Sequence, residues 1–137
     1  MRFSLLMVFL GVLQAAPSFA CGVCIEDKVA ATYDYQIVMD ATARNHVVVY
    51  GQVEGNTDMG KLVRELAAVA SRTAGVDRGT VRTSTTPAAF SFSLDPAMQT
   101  PHAAIRSVQQ RLRTTGVQLS ILRVVTRESL QPKRASD

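Results

Sequence analysis

The sequence predicts an α+β domain: a four-stranded antiparallel sheet with two helices on one face, preceded by an extra N-terminal helix. Three observations carry this. Val47, Val48, Val49 and Tyr50 form a short β-branched and aromatic run of the kind that fills a buried strand. Phe90, Phe92 and Leu94 alternate with Ser91 and Ser93, the period of a strand with one face buried and one wet. Gly75-Val76 and Gly116-Val117 each follow an apolar stripe of helical spacing and lead into a strand pattern. The two halves of the chain therefore repeat the order helix, stop, strand.

The chain has 137 residues, the size of one domain with a targeting segment. It is 47% hydrophobic and 19% charged, which excludes a disordered chain. Residues 1–20 read as a secretory signal. Arg2 is a short basic start, an apolar run follows, and Ser18 and Ala20 are small residues where a signal peptidase cuts. The apolar run is too short to span a bilayer, which takes ~20 residues. Cleavage after Ala20 predicts a periplasmic or secreted protein beginning at Cys21. Membrane association enters only if Cys21 is lipidated, and Ser18 and Phe19 do not suit that signal.

Residues 21–45 are the N-terminal Cys-x-x-C segment, headed by Cys21-Gly22-Val23-Cys24, and one helix reads from Cys24 to about Arg44. Ile25, Val29, Tyr33, Ile37 and Ala41 fall four apart. Asn45 is the left-handed stop. Residues 46–53 are the first strand. A second helix runs over 58–74, capped by Thr57 or Asp58, with Leu62, Val63, Leu66 and Val69 on its apolar stripe. Residues 80–85 and 88–94 are two strands joined around Thr86-Pro87. Thr100-Pro101 opens a third helix with a cap residue and a first-turn proline. Residues 117–125 are the last strand. The resulting order over 46–126, strand-helix-strand-strand-helix-strand, is a ferredoxin-like βαββαβ arrangement, and right-handed crossovers place both of its helices on one face. Residues 127–137 read as a basic, flexible tail. From Arg106 onward, seven lysines and arginines face Glu128 and Asp137. A basic tail can bind nucleic acid, but an exported protein seldom meets any, so no nucleic-acid partner is expected.

Over residues 47–125 the chain resembles the heavy-metal-associated domain of copper chaperones and metal-transport ATPases. Gly55-Asn56-Thr57-Asp58 stands at that family's metal-binding loop. Ala74-Gly75-Val76 stands at its helix end, and Thr115-Gly116-Val117 closes the second helix. The resemblance implies a soft-metal function and a protein partner for metal transfer. The family's loop cysteines are replaced by Asp58 and Lys61, so its metal residues do not carry over. The pair at Cys21 and Cys24 is the candidate replacement.

In an exported chain Cys21–Cys24 would close a tiny loop, and loop-closure stabilisation grows with loop length. The pair therefore suits metal or redox chemistry better than reinforcement. A helix N-terminus favours thiolate, the form that takes copper(I), preferred here over zinc. Met98 and His102 are the candidate auxiliary ligands; Met59 reads as core. The expected geometry folds Cys21 and Cys24 back to the strand end near Asn56 and Met59, with Met98 and His102 at that same edge. Two alternatives stand beside metal binding. One is thiol-disulfide exchange by the same pair, although no strand precedes it as in thioredoxins. The other is a non-catalytic interaction module docking through its sheet or basic tail. No phosphate loop, zinc-protease motif or nucleophile elbow is present, so no enzyme activity beyond thiol redox is expected.

Overall fold

The computed structural model describes residues 24–131. The signal segment 1–20, Cys21 and tail residues 132–137 lie outside the described residues. The elements are α1 (Ile25–Ala31), α2 (Tyr35–Ala43), β1 (Val47–Gly55), α3 (Met59–Ser71), β2 (Arg82–Thr85), β3 (Ala88–Leu94), α4 (Pro101–Arg111), β4 (Val117–Val125) and a 3-10 turn at Glu128–Leu130. The strands form one antiparallel sheet in the order β2-β3-β1-β4. This is an α+β domain consistent with a ferredoxin-like fold in general. None of the described helices is long and apolar enough to cross a membrane.

Successive side chains of β1 point to opposite faces of the sheet. Val47, Val49 and Val53 face α3 and α4. There they join Leu62, Leu66, Phe90, Phe92, Ile105 and Val108 in the main core. Val48 and Tyr50 face the other way, into a smaller core with Val29 of α1 and Val38 and Ala41 of α2. The apolar run in β1 is thus the mark of a strand covered on both sides.

The expected single helix over 24–44 is two helices. The ladder breaks at Thr32–Asp34 because Asp34 caps α2: its Oδ1 accepts from the backbone N–H of Gln36 (3.0 Å) and Ile37 (3.2 Å). Such a cap satisfies orphan donors that a continuous helix would have no need to satisfy this way. The four-residue apolar spacing therefore ran across a break. Asn45 does stop α2 in the left-handed region, with φ 58°. Strand β2 begins at Arg82, not at 80, because Thr80 closes a turn on Asp77 and gives its hydroxyl to the Asp77 carbonyl. The tail does not fray at once: Thr126 and Ser129 exchange hydrogen bonds around the 3-10 turn.

Gly51 is fixed by packing. It pairs with Phe90 across the ladder, and a Cβ on it would lie 2.1 Å from Phe90 Cζ. The Phe90 ring stacks on Phe92 with centroids 6.1 Å apart, so it has little room to retreat. Gly51→Ala is expected to cost roughly 1–3 kcal/mol by overpacking, read as a lower urea midpoint at unchanged slope. An unchanged midpoint would mean that Phe90 yields without cost.

Candidate functional site

Cys24 is the exposed residue at the head of α1. Its carbonyl accepts from the N–H groups of Asp27 (3.0 Å) and Lys28 (3.3 Å), starting the helix. What positions it is the course of α1 over the sheet. Arg123 of β4, Tyr50 of β1, Ser91 of β3 and Arg82 of β2 form one row of paired residues. The arm made by α1 and the following link meets that row in sequence. Glu26 pairs with Arg123. Val29 packs beside Tyr50. Ser91 Oγ donates to the Thr32 carbonyl at 2.8 Å. Arg82 donates to Asp34 Oδ2 at 3.0 Å. Lys28 adds a bond to Gln52 Oε1 one row over. Cys24 therefore stands on the arm face, at the β4 side.

Met98 and His102 do not share that location. Val47 at the start of β1 pairs with Leu94 at the end of β3, and α4 follows β3. Met98, 63% exposed, and exposed His102 consequently lie near the start of β1, on the side of the sheet that α3 and α4 cover. Met59 opens α3 just past the end of β1 and packs against the main core. Nine residues of β1 span roughly 27 Å, so Met59 and His102 belong to opposite ends of the sheet. The expected common edge is not formed. The error lies in the strand directions: β3 is antiparallel to β1, so the helices that follow them start at opposite ends. Among the described residues, no group of three His, Cys, Asp or Glu side chains could hold a metal.

His46, at the entry to β1, belongs to a polar cluster with Asp77, Ser93, Arg44 and Asp95. Asp77 accepts from the Ser93 hydroxyl and, at 3.3 Å, from Arg44. His46 Nδ1 lies 2.8 Å from Asp77, and its Nε2 lies 3.9 Å from Asp95. Burial pushes the Asp77 carboxyl up, but Ser93, His46 and Arg44 outweigh it and hold it below its ordinary value. An ionised carboxylate only accepts, so Nδ1 carries the proton. Serine, histidine and aspartate are all present, yet in the wrong order for acyl transfer. The hydroxyl is bonded to the carboxylate, where a nucleophile needs the imidazole, and Ser93 is fully buried. The cluster is a clasp that fastens the end of α2 to the turn after α3.

Two hollows flank the sheet. On the arm face, a cleft of about 340 Å³ is lined by Val29, Tyr33, Val38, Tyr50, Val125 and Leu130. Burial, with Tyr33 and Asp34 nearby, pushes the Tyr50 phenol up to about 12, so it stays neutral. On the other side, a groove of about 890 Å³ runs along α3 and the end of α4, with Lys61, Arg72, Arg111 and Arg113 in its walls. Glu65 in the same lining accepts from the Arg113 backbone N–H and, at 2.8 Å, from the Thr114 hydroxyl; these bonds hold its carboxyl below the usual range. The signal for this groove was present in the sequence: Lys61, Glu65 and Arg72 share one helical face. Part of the late positive charge, Arg111 and Arg113, belongs to this groove and not to the tail.

No protein-family model, curated protein or solved structure matches this chain.

Asp77→Asn is expected to cost roughly 1–2 kcal/mol at neutral pH by weakening a partly buried polar cluster. The folded carboxyl lies below its unfolded value, so its stabilising contribution is complete above about pH 3.9 and is lost as pH falls through the folded value. Urea titrations from neutral to acid pH should therefore show a shallower acid limb for Asp77→Asn than for the natural chain. Parallel acid limbs would remove Asp77 from the clasp.

Proposed function

We propose that the chain is an exported, non-catalytic carrier of a soft metal ion, with copper(I) as cargo and Cys21 and Cys24 as the ligands. The fold in this reading is a ferredoxin-like βαββαβ unit carrying an N-terminal helical arm. The observation that supports it is the exposure of Cys24 at the head of an arm pinned across the whole sheet. A pinned arm gives Cys24 a fixed place, and its exposure suits contact with a protein partner that delivers or receives the ion.

The donor set discriminates between metals. Structural zinc sites take four ligands in a tetrahedron. Two thiolates suffice for copper(I), a soft ion that selects sulfur. Met98 and His102 lie on the other side of the sheet from α1, and no described cluster supplies further ligands, so the reading narrows to a two-thiolate copper(I) site. Asp58 and Lys61, which replace the resembled family's loop cysteines, are used to start α3: Asp58 Oδ1 accepts from the Lys61 N–H at 3.1 Å.

The test is an anaerobic copper(I) titration of the reduced chain from Cys21, against a competing chelator. Cys21→Ser/Cys24→Ser is expected to weaken binding by more than about a hundredfold, beyond the ~10–100-fold typical of a supporting residue. Met98→Ala/His102→Ala should leave affinity unchanged. Undiminished binding in the cysteine double variant would sink the proposal. A dithiol without metal affinity, poised near the potentials of thiol oxidoreductases, would replace it with disulfide exchange.

A further inference from the structure

The groove along α3 and the end of α4 has a charge imbalance that the rest of the surface helps to interpret. On the arm face, three arginines are each matched to a carboxylate: Arg44 to Asp77, Arg82 to Asp34 and Arg123 to Glu26. In the groove, Lys61, Arg72, Arg111 and Arg113 line one hollow. Among the described residues, no carboxylate is ion-paired with any of them. Glu65, the carboxylate within the lining, has its oxygens taken by the Arg113 backbone N–H and the Thr114 hydroxyl. Those bonds tie the turn after α4 to α3, and so hold Arg111 and Arg113 opposite Lys61. Four cations against one engaged carboxylate leave the groove at a formal +3. Like charges gathered in a concave surface focus field lines and raise the local concentration of anions.

We propose that this groove binds an extended acidic segment of a partner protein. Shape and lining choose this occupant over other polyanions. A bilayer surface is flat and cannot follow a hollow of about 890 Å³ between α3 and the turn after α4. Single-stranded nucleic acid is held by aromatic side chains on which bases stack, and no aromatic residue lines the groove. Ala68 and Val69 give the floor an apolar strip, which suits the backbone and methylene groups of a peptide while carboxylates reach the cationic rim. The inference is independent of the metal proposal. The groove lies on the side of the sheet away from the arm, and Cys24 does not line it.

The test is fluorescence anisotropy of a labelled peptide of alternating glutamate and serine, titrated with the chain at low salt. The natural chain is expected to bind with an affinity that falls steeply as salt is added. Arg111→Glu/Arg113→Glu should weaken binding by roughly tenfold or more. Arg78→Glu/Arg127→Glu changes net charge equally, away from the groove, and should bind like the natural chain. Circular dichroism checks that both variants fold, and Lys61→Ala/Arg72→Ala provides a second groove variant should the first unfold. Equal loss in groove and control variants would reduce the effect to net charge and overturn the proposal. So would absence of peptide binding by the natural chain at low salt. Tighter capture of phosphatidylglycerol vesicles or a single-stranded oligonucleotide than of the peptide would overturn it as well.

Discussion

The crossing of the sheet by the N-terminal arm is the constraint on which the rest of the arrangement depends. From Glu26 to Thr32 a helical path rises about 9 Å. From Arg123 on β4 to Ser91 on β3 lie two strand spacings, about 10 Å. The helix is as long as the distance it must cover, and it ends where Ser91 takes the Thr32 carbonyl. Two further residues carry the chain one more strand, to the Asp34–Arg82 pair. There the same carboxylate starts α2. Asp34 thus ends the crossing and turns the chain, one oxygen toward Arg82 and the other toward α2.

This crossing explains why β1 is apolar on both faces. A sheet with helices on one side only would leave Val48 and Tyr50 in water. With the arm in place they are about 1% exposed, and α2 is fastened beyond them by the Asp77 clasp. The exposed pairs at the ends of the arm are each worth little, since surface ion pairs contribute ~0–1 kcal/mol. Their value is positional: burial of Val29, Val38, Val48 and Tyr50 supplies the driving force, and the polar contacts select one direction for the arm across the sheet.

Much of the sheet was legible in the sequence, because its signals are local. The β-branched run at Val47, the Phe90–Leu94 alternation and the capped helix starts at Asp58 and Thr100 all depend on near neighbours. Asp58 and Thr100 each accept from the N–H three residues on. The arm was less legible. Its apolar residues at four-residue spacing imitate a continuous helix, while the break depends on Ser91 and Arg82, more than fifty positions away or nearly so. The Asp34 side chain two residues before Gln36 was the one local hint. The groove was hidden for a similar reason. Lys61 and Arg72 share a face, but Arg111 and Arg113 join them only because α4 lies beside α3 and Glu65 fastens the turn between α4 and β4.

The metal-domain resemblance takes a different meaning in this setting. The stretch Gly55–Asp58 is committed to structure on both sides. Gly55 adopts φ 146°, and a Cβ there would lie 2.5 Å from the Gly116 carbonyl oxygen. Asp58 caps α3. The side chains and backbone of this loop are used by the turn and the helix start. The copper proposal accordingly rests on sulfur outside the sheet, on the arm that carries Cys24. Because the arm lies along one row of the sheet, its head is fixed at β4, across the sheet from α4. Met98 and His102 are separated from it by the thickness of the sheet and a layer of packed side chains, so changing the length of α1 would move Cys24 along the arm face without bringing it to them.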